Sequence, residues 1–224
     1  MIDLLSYLKS CNINEFLEKI DEIINKYRLS LTNRDGFNKL RADYNKSKQP
    51  EKLFVLICYS FNHQIRFNNS LEFNTPFGMN RSTYNENIKN NLVNFVAKMH
   101  EQKIYFINGD FESFDYSILS KNDFVYCDPP YLITTGSYND GKRGFGDWTL
   151  NCEKRLLNLL DNLDKKGIKF ALSNVLIHNG EENTILIEWS KKYKIHHISK
   201  NYNNSNYHSK AKAFETDEVV ITNY

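Results

Sequence analysis

Apolar residues recur at helical spacing along the first part of the chain. From Ile13 to Tyr27 they fall three or four positions apart, which predicts an amphipathic helix with one buried face. A weaker stripe from Phe37 to Tyr44 predicts a second helix, and Pro50 can open a third that runs through residue 61. The first sixty residues are therefore expected to be mainly helical.

The helical spacing stops between His63 and Thr83, in the segment HQIRFNNSLEFNTPFGMNRST. We expect a long loop or a hairpin here, and helical spacing returns from Ile88 to Met99. A loop of about 20 residues within a compact domain is uncommon and is usually functional or disordered. Binding residues are therefore expected in this segment.

Strand and helix patterns alternate in the second half of the chain. Strands are predicted for KIYFIN, DFVYC, IKFALSN, KIHHIS and DEVVIT, with helices after Thr149 and from Thr184 to Tyr193. Such alternation is typical of a largely parallel sheet and predicts an α/β fold. Ligands of such sheets bind at the carboxyl ends of strands, so residues directly after a strand are candidates for the site.

Composition narrows the class of protein. The 224 residues are enough for one α/β domain or for a domain with a small appendage, and contents of 41% hydrophobic and 25% charged residues are typical of a globular protein. No apolar run approaches the roughly 18 residues of a membrane span and no signal peptide is recognisable, so we expect a cytoplasmic protein. The four cysteines and six histidines are scattered, so neither a disulfide framework nor a metal site is expected. The net charge of +2 is too small to indicate a polyanionic partner.

The most informative motif is Asp128-Pro129-Pro130-Tyr131, which follows the strand DFVYC. Asp128 should emerge at the carboxyl edge of the sheet, with two prolines restricting the backbone behind it. The second proline favours an extended conformation of Pro129, which can direct its carbonyl oxygen beside the Asp128 carboxylate. Two hydrogen-bond acceptors would then face one small volume. The alternative is an ordinary turn, since Asp and Pro are common turn residues.

A pair of acceptors suits the methylation of an aromatic amine. The lone pair of such an NH2 group is delocalised into the ring, which makes the nitrogen a poor nucleophile. Hydrogen bonds from both N–H groups to fixed acceptors favour a pyramidal nitrogen and stabilise the charge that develops during attack on a sulfonium methyl. The base must first leave the duplex, and an aromatic side chain such as Tyr131 can stack on the flipped base.

This motif resembles the Dam family of DNA adenine methyltransferases, in the alpha group, where the target-recognition region precedes the catalytic motif. Beyond VYCDPPY, the resemblance includes FNHQIRFNNSLEFNTPFG, INGDF and SNVL through YHSKAKAFETDEV, and so covers nearly the whole chain. It implies that Asp128 and the Pro129 carbonyl bind the target N6, with Tyr131 on the flipped adenine. It also implies a Rossmann-like S-adenosylmethionine-dependent methyltransferase sheet with a mainly helical DNA-recognition insertion. Residues 1–102 would form the recognition region, with a DNA-reading loop at 62–83, and residues 103–224 the catalytic region.

The resemblance also assigns a cofactor site. Asp110 and Phe111 follow the predicted strand in YFINGDF, where a carboxylate can accept from an adenine amine and a ring can pack on a purine. Family resemblance assigns them to S-adenosylmethionine, together with Asp128 and with Tyr138 as a cover. The alternative is that Asp110 caps the next helix and Phe111 belongs to the core.

DNA contacts are expected from the loop. A guanidinium such as that of Arg66 can bond bidentately to guanine O6 and N7 in the major groove, although a lone loop arginine is more often a solvated surface charge. The resemblance supports the guanine-reading role. It implies that Phe61 and Asn62 insert into or contact the duplex near the target, and that Pro76 makes an apolar contact with a base. Arg81, Lys210 and Lys212 would contact phosphates, and the family's usual target, GATC, is the predicted site in double-stranded DNA.

The family's opening segment is not recognisable in this sequence. A Lys-bearing segment, a Phe-x-Gly-x-Gly loop and an acidic residue for the cofactor ribose are absent, and MIDLLSYLK resembles the helix that follows them. We therefore expect an N-terminally incomplete fold that binds S-adenosylmethionine weakly or not at all, unless a separate chain or a missing segment supplies that part. Two other interpretations stay open: a truncated remnant that at most binds DNA, and an N4-cytosine methyltransferase with the same amine chemistry.

Overall fold

A computed structural model of the chain describes residues 1–134, 148–198 and 216–224. The chain divides into two compact units, Met1–Gly109 and Asp110–Tyr224. Each unit has its own cluster of buried apolar residues. The roles predicted for residues 1–102 and 103–224 stay predictions.

The first unit is built from helices. They are α1 (Ile2–Ser10), α2 (Ile13–Tyr27), α3 (Arg34–Ser47), α4 (Pro50–Tyr59) and α5 (Glu86–Glu101), with a 3₁₀ turn at Phe61–His63. The side chains of Asn12, Asn33 and Asn85 each accept a hydrogen bond from a first-turn N–H that has no partner within its helix. The helices predicted from apolar spacing before residue 61 are confirmed, although α4 ends at Tyr59.

The core of the first unit holds part of the predicted loop. Phe16 on α2, Phe37 on α3 and Leu56 on α4 are fully buried. Phe73 comes from the loop but is only 1% exposed, and its ring packs edge-on against that of Tyr44 at 6.2 Å between centroids. A buried aromatic ring contributes a large apolar area to a core. The loop is therefore anchored in the middle of its length.

Side-chain hydrogen bonds hold the path of this loop. Isolated β-bridges pair Ser60 with Phe77 and Phe67 with Phe73. Asn45 on α3 accepts a hydrogen bond from the Phe73 N–H at 2.8 Å and donates one to the Phe73 carbonyl at 3.1 Å. The amide of Asn45 thus satisfies backbone groups that a neighbouring strand would otherwise pair, and residues 63–83 form an ordered, hairpin-like loop.

The strand predicted for residues 103–108 is wrong, because this segment is not assigned to any strand. Its side chains do alternate, since Ile104 and Phe106 pack against the helical core while Tyr105 and Ile107 are 76% and 60% exposed. An extended segment that lies on helices shows the same period of two as a strand in a sheet. The alternation was therefore real, but its cause is packing on helices.

The second unit contains a mixed sheet and two α-helices within the residues that the structure describes. The strands are β1 (Phe124–Cys127), β2 (Lys169–His178), β3 (Glu181–Glu182), β4 (Lys194–Ile198) and β5 (Thr216–Thr222), and the helices are α6 (Leu150–Lys165) and α7 (Thr184–Ser190). Two 3₁₀ turns, at Phe111–Ser113 and Tyr116–Ile118, precede β1. The mixed α/β character agrees with the predicted class.

The prediction of a largely parallel sheet is wrong. The strand order is β1-β2-β5-β4, with β3 beside β2, and β1 and β2 form the one parallel pair among the described strands. Helix α6 connects β1 to β2, and α7 lies between β2 and β4 in the chain, so these three strands share a direction as the alternation predicts. The last strand, β5, inserts between β2 and β4 and runs antiparallel to both. Alternation of strands and helices does not reveal such an insertion.

Helix α6 covers the sheet with an apolar stripe. Leu156, Leu160 and Leu163 on α6 are at most 2% exposed, and Phe170 and Leu172 on β2 are fully buried in the same cluster. This packing fixes the first four residues of β2 beside β1, and the predicted catalytic residues follow the end of β1. The core of the second unit therefore positions the candidate site.

Candidate functional site

Asp128 directly follows the last residue of β1. That residue, Cys127, pairs in parallel register with Leu172 on β2, so Asp128 lies at the carboxyl edge of the one described parallel pair. Asp128 is exposed, whereas Pro129 and Pro130 are partly buried. The carboxylate is thus accessible at a strand end while the prolines behind it pack against the protein.

The hydroxyl of Tyr131 lies between two carboxylates. It donates to Asp128 Oδ1 and to Glu218 Oε1 on β5, each at 3.4 Å. Burial raises the pKa of Tyr131 well above its usual value, and the negative charges of Asp128 and Glu218 raise it further. Tyr131 therefore stays a neutral hydrogen-bond donor at physiological pH. The sequence did not indicate Glu218, because it stands among the alternating residues of a strand.

A second contact joins the neighbouring strands close to this site. The hydroxyls of Tyr126 on β1 and Ser173 on β2 are 2.8 Å apart. Ser173 and Asn174 end the strand predicted from IKFALSN, but β2 continues past them to His178. Both side chains are buried within the sheet, with Asn174 fully so. The chain therefore continues as a strand through these two residues and does not turn there.

Asp110 and Phe111 adopt the geometry of a helix cap and a core ring. Asp110 Oδ1 accepts a hydrogen bond from the Glu112 N–H at 2.9 Å at the start of the 3₁₀ turn. The Phe111 ring is partly buried and lies 5.9 Å from the Trp148 ring, centroid to centroid. The Asp110 side chain is still 55% exposed, so the pair offers a carboxylate acceptor and an aromatic face. These groups fit the adenine of S-adenosylmethionine, and that role stays a prediction.

Arg155 on α6 holds this pair in place. Its guanidinium donates to Asp110 Oδ1 at 3.3 Å and through Nε to Glu112 Oε2 at 2.9 Å, with a second, shorter bond from Nη2 to Glu112. The guanidinium carbon also lies 5.4 Å from the centre of the Phe111 ring. Its hydrogen bond to Glu112 raises the pKa of Arg155 above its usual value. Arg155 therefore contacts both residues assigned to the cofactor.

A fully buried carboxylate is linked to Phe111 through Trp148. Glu153 on α6 is 0% exposed, and its Oε2 accepts from Trp148 Nε1 at 2.8 Å. Its Oε1 accepts from Asn174 Nδ2 at 3.0 Å and from Asn183 Nδ2 at 3.2 Å. We call these four residues the Glu153 network. The signal in the sequence is a glutamate on the apolar stripe of α6, three residues before Leu156.

The structure brings three of the predicted DNA-contacting residues together. The Phe61 N–H donates to the Pro76 carbonyl at 2.8 Å, so these two residues face each other across the loop. Asn62 follows in the 3₁₀ turn with a left-handed backbone. Phe61, Asn62 and Pro76 are all exposed. Their side chains thus form one accessible surface of the first unit.

Arg66 lies one hydrogen-bonded step further along the same loop. Its N–H donates to Thr75 Oγ1 at 3.0 Å, and its carbonyl accepts from the Asn74 N–H at 3.1 Å. Thr75 is fully buried, and its carbonyl accepts from Arg41 on α3 at 3.3 Å. The backbone that carries Arg66 is therefore fixed, as a residue that reads a base requires.

Tyr138, predicted to cover the cofactor, lies outside the described residues, as do Lys210 and Lys212. Over 1–134, 148–198 and 216–224, no group of three or more His, Cys, Asp or Glu side chains is arranged to hold a metal ion. None of the described helices is long and apolar enough to cross a membrane.

Comparison with known proteins bears directly on this site. The model of the D12 class N6 adenine-specific DNA methyltransferases matches residues 1–204. The chain is 50% identical over 224 residues to the Type II methyltransferase M.FokI of Planomicrobium okeanokoites, covering 100% of this chain and 34% of that protein. It is 50% identical over 212 residues to the modification methylase StsI of Streptococcus sanguinis, covering 94% of this chain and 32% of that protein.

A more distant relative matches a smaller part. The chain is 27% identical over 166 residues to the DNA adenine methylase of Escherichia coli (strain K12), which covers 71% of this chain and 55% of that protein. The chain spans about a third of the length of its 50%-identical relatives. The family model nevertheless covers the first unit entirely and the second unit up to residue 204, which includes the loop and the residues at the end of β1 but not β5. The chain belongs to the family of D12 class N6 adenine-specific DNA methyltransferases.

Proposed function

We propose that this chain transfers a methyl group from S-adenosylmethionine to the N6 of an adenine flipped out of double-stranded DNA. The single observation that carries the proposal is the exposed Asp128 carboxylate at the end of β1, within hydrogen-bond reach of the neutral Tyr131 hydroxyl. Membership in an adenine-specific DNA methyltransferase family supports the choice of base and of atom. We further propose that the mixed sheet belongs to a Rossmann-like methyltransferase fold.

The residues of this chain would make the adenine amine a better nucleophile. The Asp128 carboxylate and the Pro129 carbonyl accept hydrogen bonds from the two N6 protons, which favours a pyramidal nitrogen and stabilises its developing positive charge. The Tyr131 ring stacks on the flipped base, while its hydroxyl keeps the Asp128 carboxylate in place. Because the pKa of Tyr131 is raised, this hydroxyl keeps its proton throughout the working pH range.

The cofactor supplies the electrophilic methyl group on a sulfonium. Asp110 and Phe111 would bind its adenine, with the carboxylate accepting from the exocyclic amine and the ring packing against the purine face. Arg155 orients both side chains, and Trp148 supports Phe111 from behind. We propose that Asp128 and Tyr138 also contact the cofactor, and this part of the proposal rests on the family resemblance alone.

Methylation of defined duplexes tests this function. The chain would be incubated with duplexes that contain GATC or one changed base pair and with labelled S-adenosylmethionine, raised until the signal no longer increases because weak cofactor binding is expected. The digested nucleosides would be separated by mass. Labelled N6-methyladenine is the expected product. Labelled N4-methylcytosine would show a cytosine methyltransferase instead, and DNA binding without any labelled base would show a DNA-binding remnant.

We also propose that the chain belongs to a restriction-modification system, because two of its relatives are named modification methylases.

Arg66 is the residue that we propose to read a guanine. Arg66→Ala should cost about 1 to 3 kcal/mol in binding and relax selectivity at one base pair, because a bidentate contact to O6 and N7 is lost. Arg66→Lys is the matched control, since it keeps the charge but not the fork of donors, and it should lose selectivity while it retains most non-specific affinity. The measurement is fluorescence anisotropy on the same set of duplexes. An equal loss on every duplex would show a phosphate contact instead of base reading.

A further inference from the structure

Arg81 contacts two of the residues predicted to enter the DNA. Its guanidinium carbon lies 4.9 Å from the centre of the Phe61 ring, within the range of a cation–π interaction. Its Nη1 donates to Asn62 Oδ1 at 3.1 Å. Phe61 is 40% exposed, and Arg81 is exposed as well. One guanidinium therefore holds a ring and an amide that belong to the same accessible surface.

The backbone fixes Arg81 beside Phe61. The Phe61 N–H donates to the Pro76 carbonyl at 2.8 Å, and the Arg81 N–H donates to the Gly78 carbonyl at 3.1 Å. Gly78 is buried against the facing segment, and a Cβ at this position would lie 2.8 Å from the Ser60 carbonyl oxygen. Such a close approach requires glycine. The backbone packing of the two segments therefore keeps Arg81 and Phe61 close to each other, so their contact does not depend on side-chain rotamers alone.

The turn that presents Phe61 has a strained backbone. Asn62 and the following His63 have φ values of 51° and 53°, in the left-handed region. This region costs most L-residues about 1 to 2 kcal/mol, and Asn and His adopt it more often than most. Consecutive residues of this kind persist only where surrounding contacts fix them, and the hydrogen bond from Arg81 to the Asn62 side chain is one such contact.

We propose that Arg81 is a positioning residue, which holds Phe61 and Asn62 in the orientation in which they meet the duplex. A guanidinium has five N–H donors, so the contact with Asn62 leaves donors for a DNA phosphate. A DNA phosphate bound there would contact the same guanidinium that stacks on Phe61. Binding of the DNA backbone would then be coupled to insertion of the Phe61 ring. This inference rests on the proposed function, because it assumes that the loop meets DNA.

An assay of base flipping tests the positioning role of Arg81 separately from DNA binding. Duplexes with 2-aminopurine in place of the target adenine would be saturated with wild-type protein, Arg81→Ala, Phe61→Ala or the double variant. Each single substitution is expected to lower the flipped-to-stacked ratio about tenfold, as expected for the loss of one charge-assisted contact. The double variant should lose no more than the worse single variant, because the two residues act as one unit. Lys98→Ala, which removes an exposed positive charge from α5, should leave the saturated fluorescence unchanged.

A simple phosphate contact gives a different pattern. Arg81→Ala would then weaken binding to all duplexes and lower the salt dependence by about one ion, but leave the saturated 2-aminopurine signal intact and add to Phe61→Ala. That pattern overturns the inference.

Arg81→Lys tests the same point with the charge retained. If the guanidinium positions the ring, this variant should bind DNA like the wild type but flip a smaller fraction of the target base. A wild-type protein that neither methylates nor flips the base would overturn the proposed function, and with it the inference. Normal wild-type activity with unchanged flipping in Arg81→Ala would overturn the inference alone.

Discussion

Asp128→Asn is expected to lower the rate of methyl transfer by about 100- to 1,000-fold, the usual cost of removing one preorganised acceptor from a developing charge. The amide has nearly the same shape as the carboxylate, so the end of β1 should keep its fold. It has no negative charge, however, and it can present an NH2 group to the N–H of the adenine. The loss should therefore appear in the chemical step.

The affinity of Asp128→Asn for DNA should not fall with the rate. Asp128 is exposed, and removing a negative charge from a surface that meets a polyanion weakens repulsion. We expect Asp128→Asn to bind the target duplex at least as tightly as the wild type. Single-turnover methylation with protein in excess over DNA measures the chemical step, and fluorescence anisotropy measures binding of the same duplex.

Asp21→Asn provides the matched control for this substitution. It makes the same chemical change at an exposed position of α2, in the other compact unit, and should alter neither rate nor affinity. A wild-type rate in Asp128→Asn would show that the carboxylate is not the acceptor of the amine. A loss of affinity as large as the loss of rate would indicate a damaged fold, which circular dichroism would detect.

Helices were the most predictable part of the fold. The apolar stripe of α2 is buried as its spacing predicts, with Phe16 and Ile20 fully inside the core. A helix satisfies its own backbone, so local spacing is enough to define it. The partner of a strand lies elsewhere in the chain, and residues 103–108 show that alternation alone does not prove pairing.

The position of the candidate active site was also predictable in part. Asp128 follows an apolar strand, and a strand end can be recognised from local sequence. The contact of Tyr131 with Glu218 could not be predicted in this way, because it depends on β5 inserting beside β2. Arg81 and Phe61 are 20 positions apart, and their contact depends on the path of a loop without periodic sequence.

The Glu153 network should make the stability of the second unit depend on both oxygen atoms of the Glu153 carboxylate. The amide orientations of both asparagines are fixed, because Asn174 Oδ1 accepts from the Val175 N–H at 2.8 Å and Asn183 Oδ1 accepts from the Leu186 N–H at 3.2 Å. Their Nδ2 groups must therefore point at Glu153. With the indole N–H of Trp148, three neutral donors converge on one carboxylate near the start of α6, where the helix dipole favours negative charge.

Glu153→Gln replaces one of the two acceptor oxygens with an NH2 donor. In either orientation of the new amide, this NH2 group meets Trp148 or the two asparagines, and at least one buried donor loses its partner. An unsatisfied buried donor costs about 1 to 3 kcal/mol, so we expect the free energy of unfolding to fall by about 1 to 3 kcal/mol for each donor that loses its partner. Glu153→Ala should cost more, because it leaves all three donors unsatisfied and opens a cavity.

Urea unfolding followed by tryptophan fluorescence is the appropriate measurement, because both tryptophans of the chain, Trp148 and Trp189, lie in the second unit. Glu188→Gln is the matched control. Its side chain is 74% exposed and pairs only on the surface with Lys191, a contact that contributes about 0 to 1 kcal/mol. A midpoint in Glu153→Gln as close to wild type as that of Glu188→Gln would show that the buried carboxylate does not hold the network together. A large shift would also show that the fully buried Glu153 holds Trp148 in place, and through it the Phe111 ring that we propose to bind the cofactor adenine.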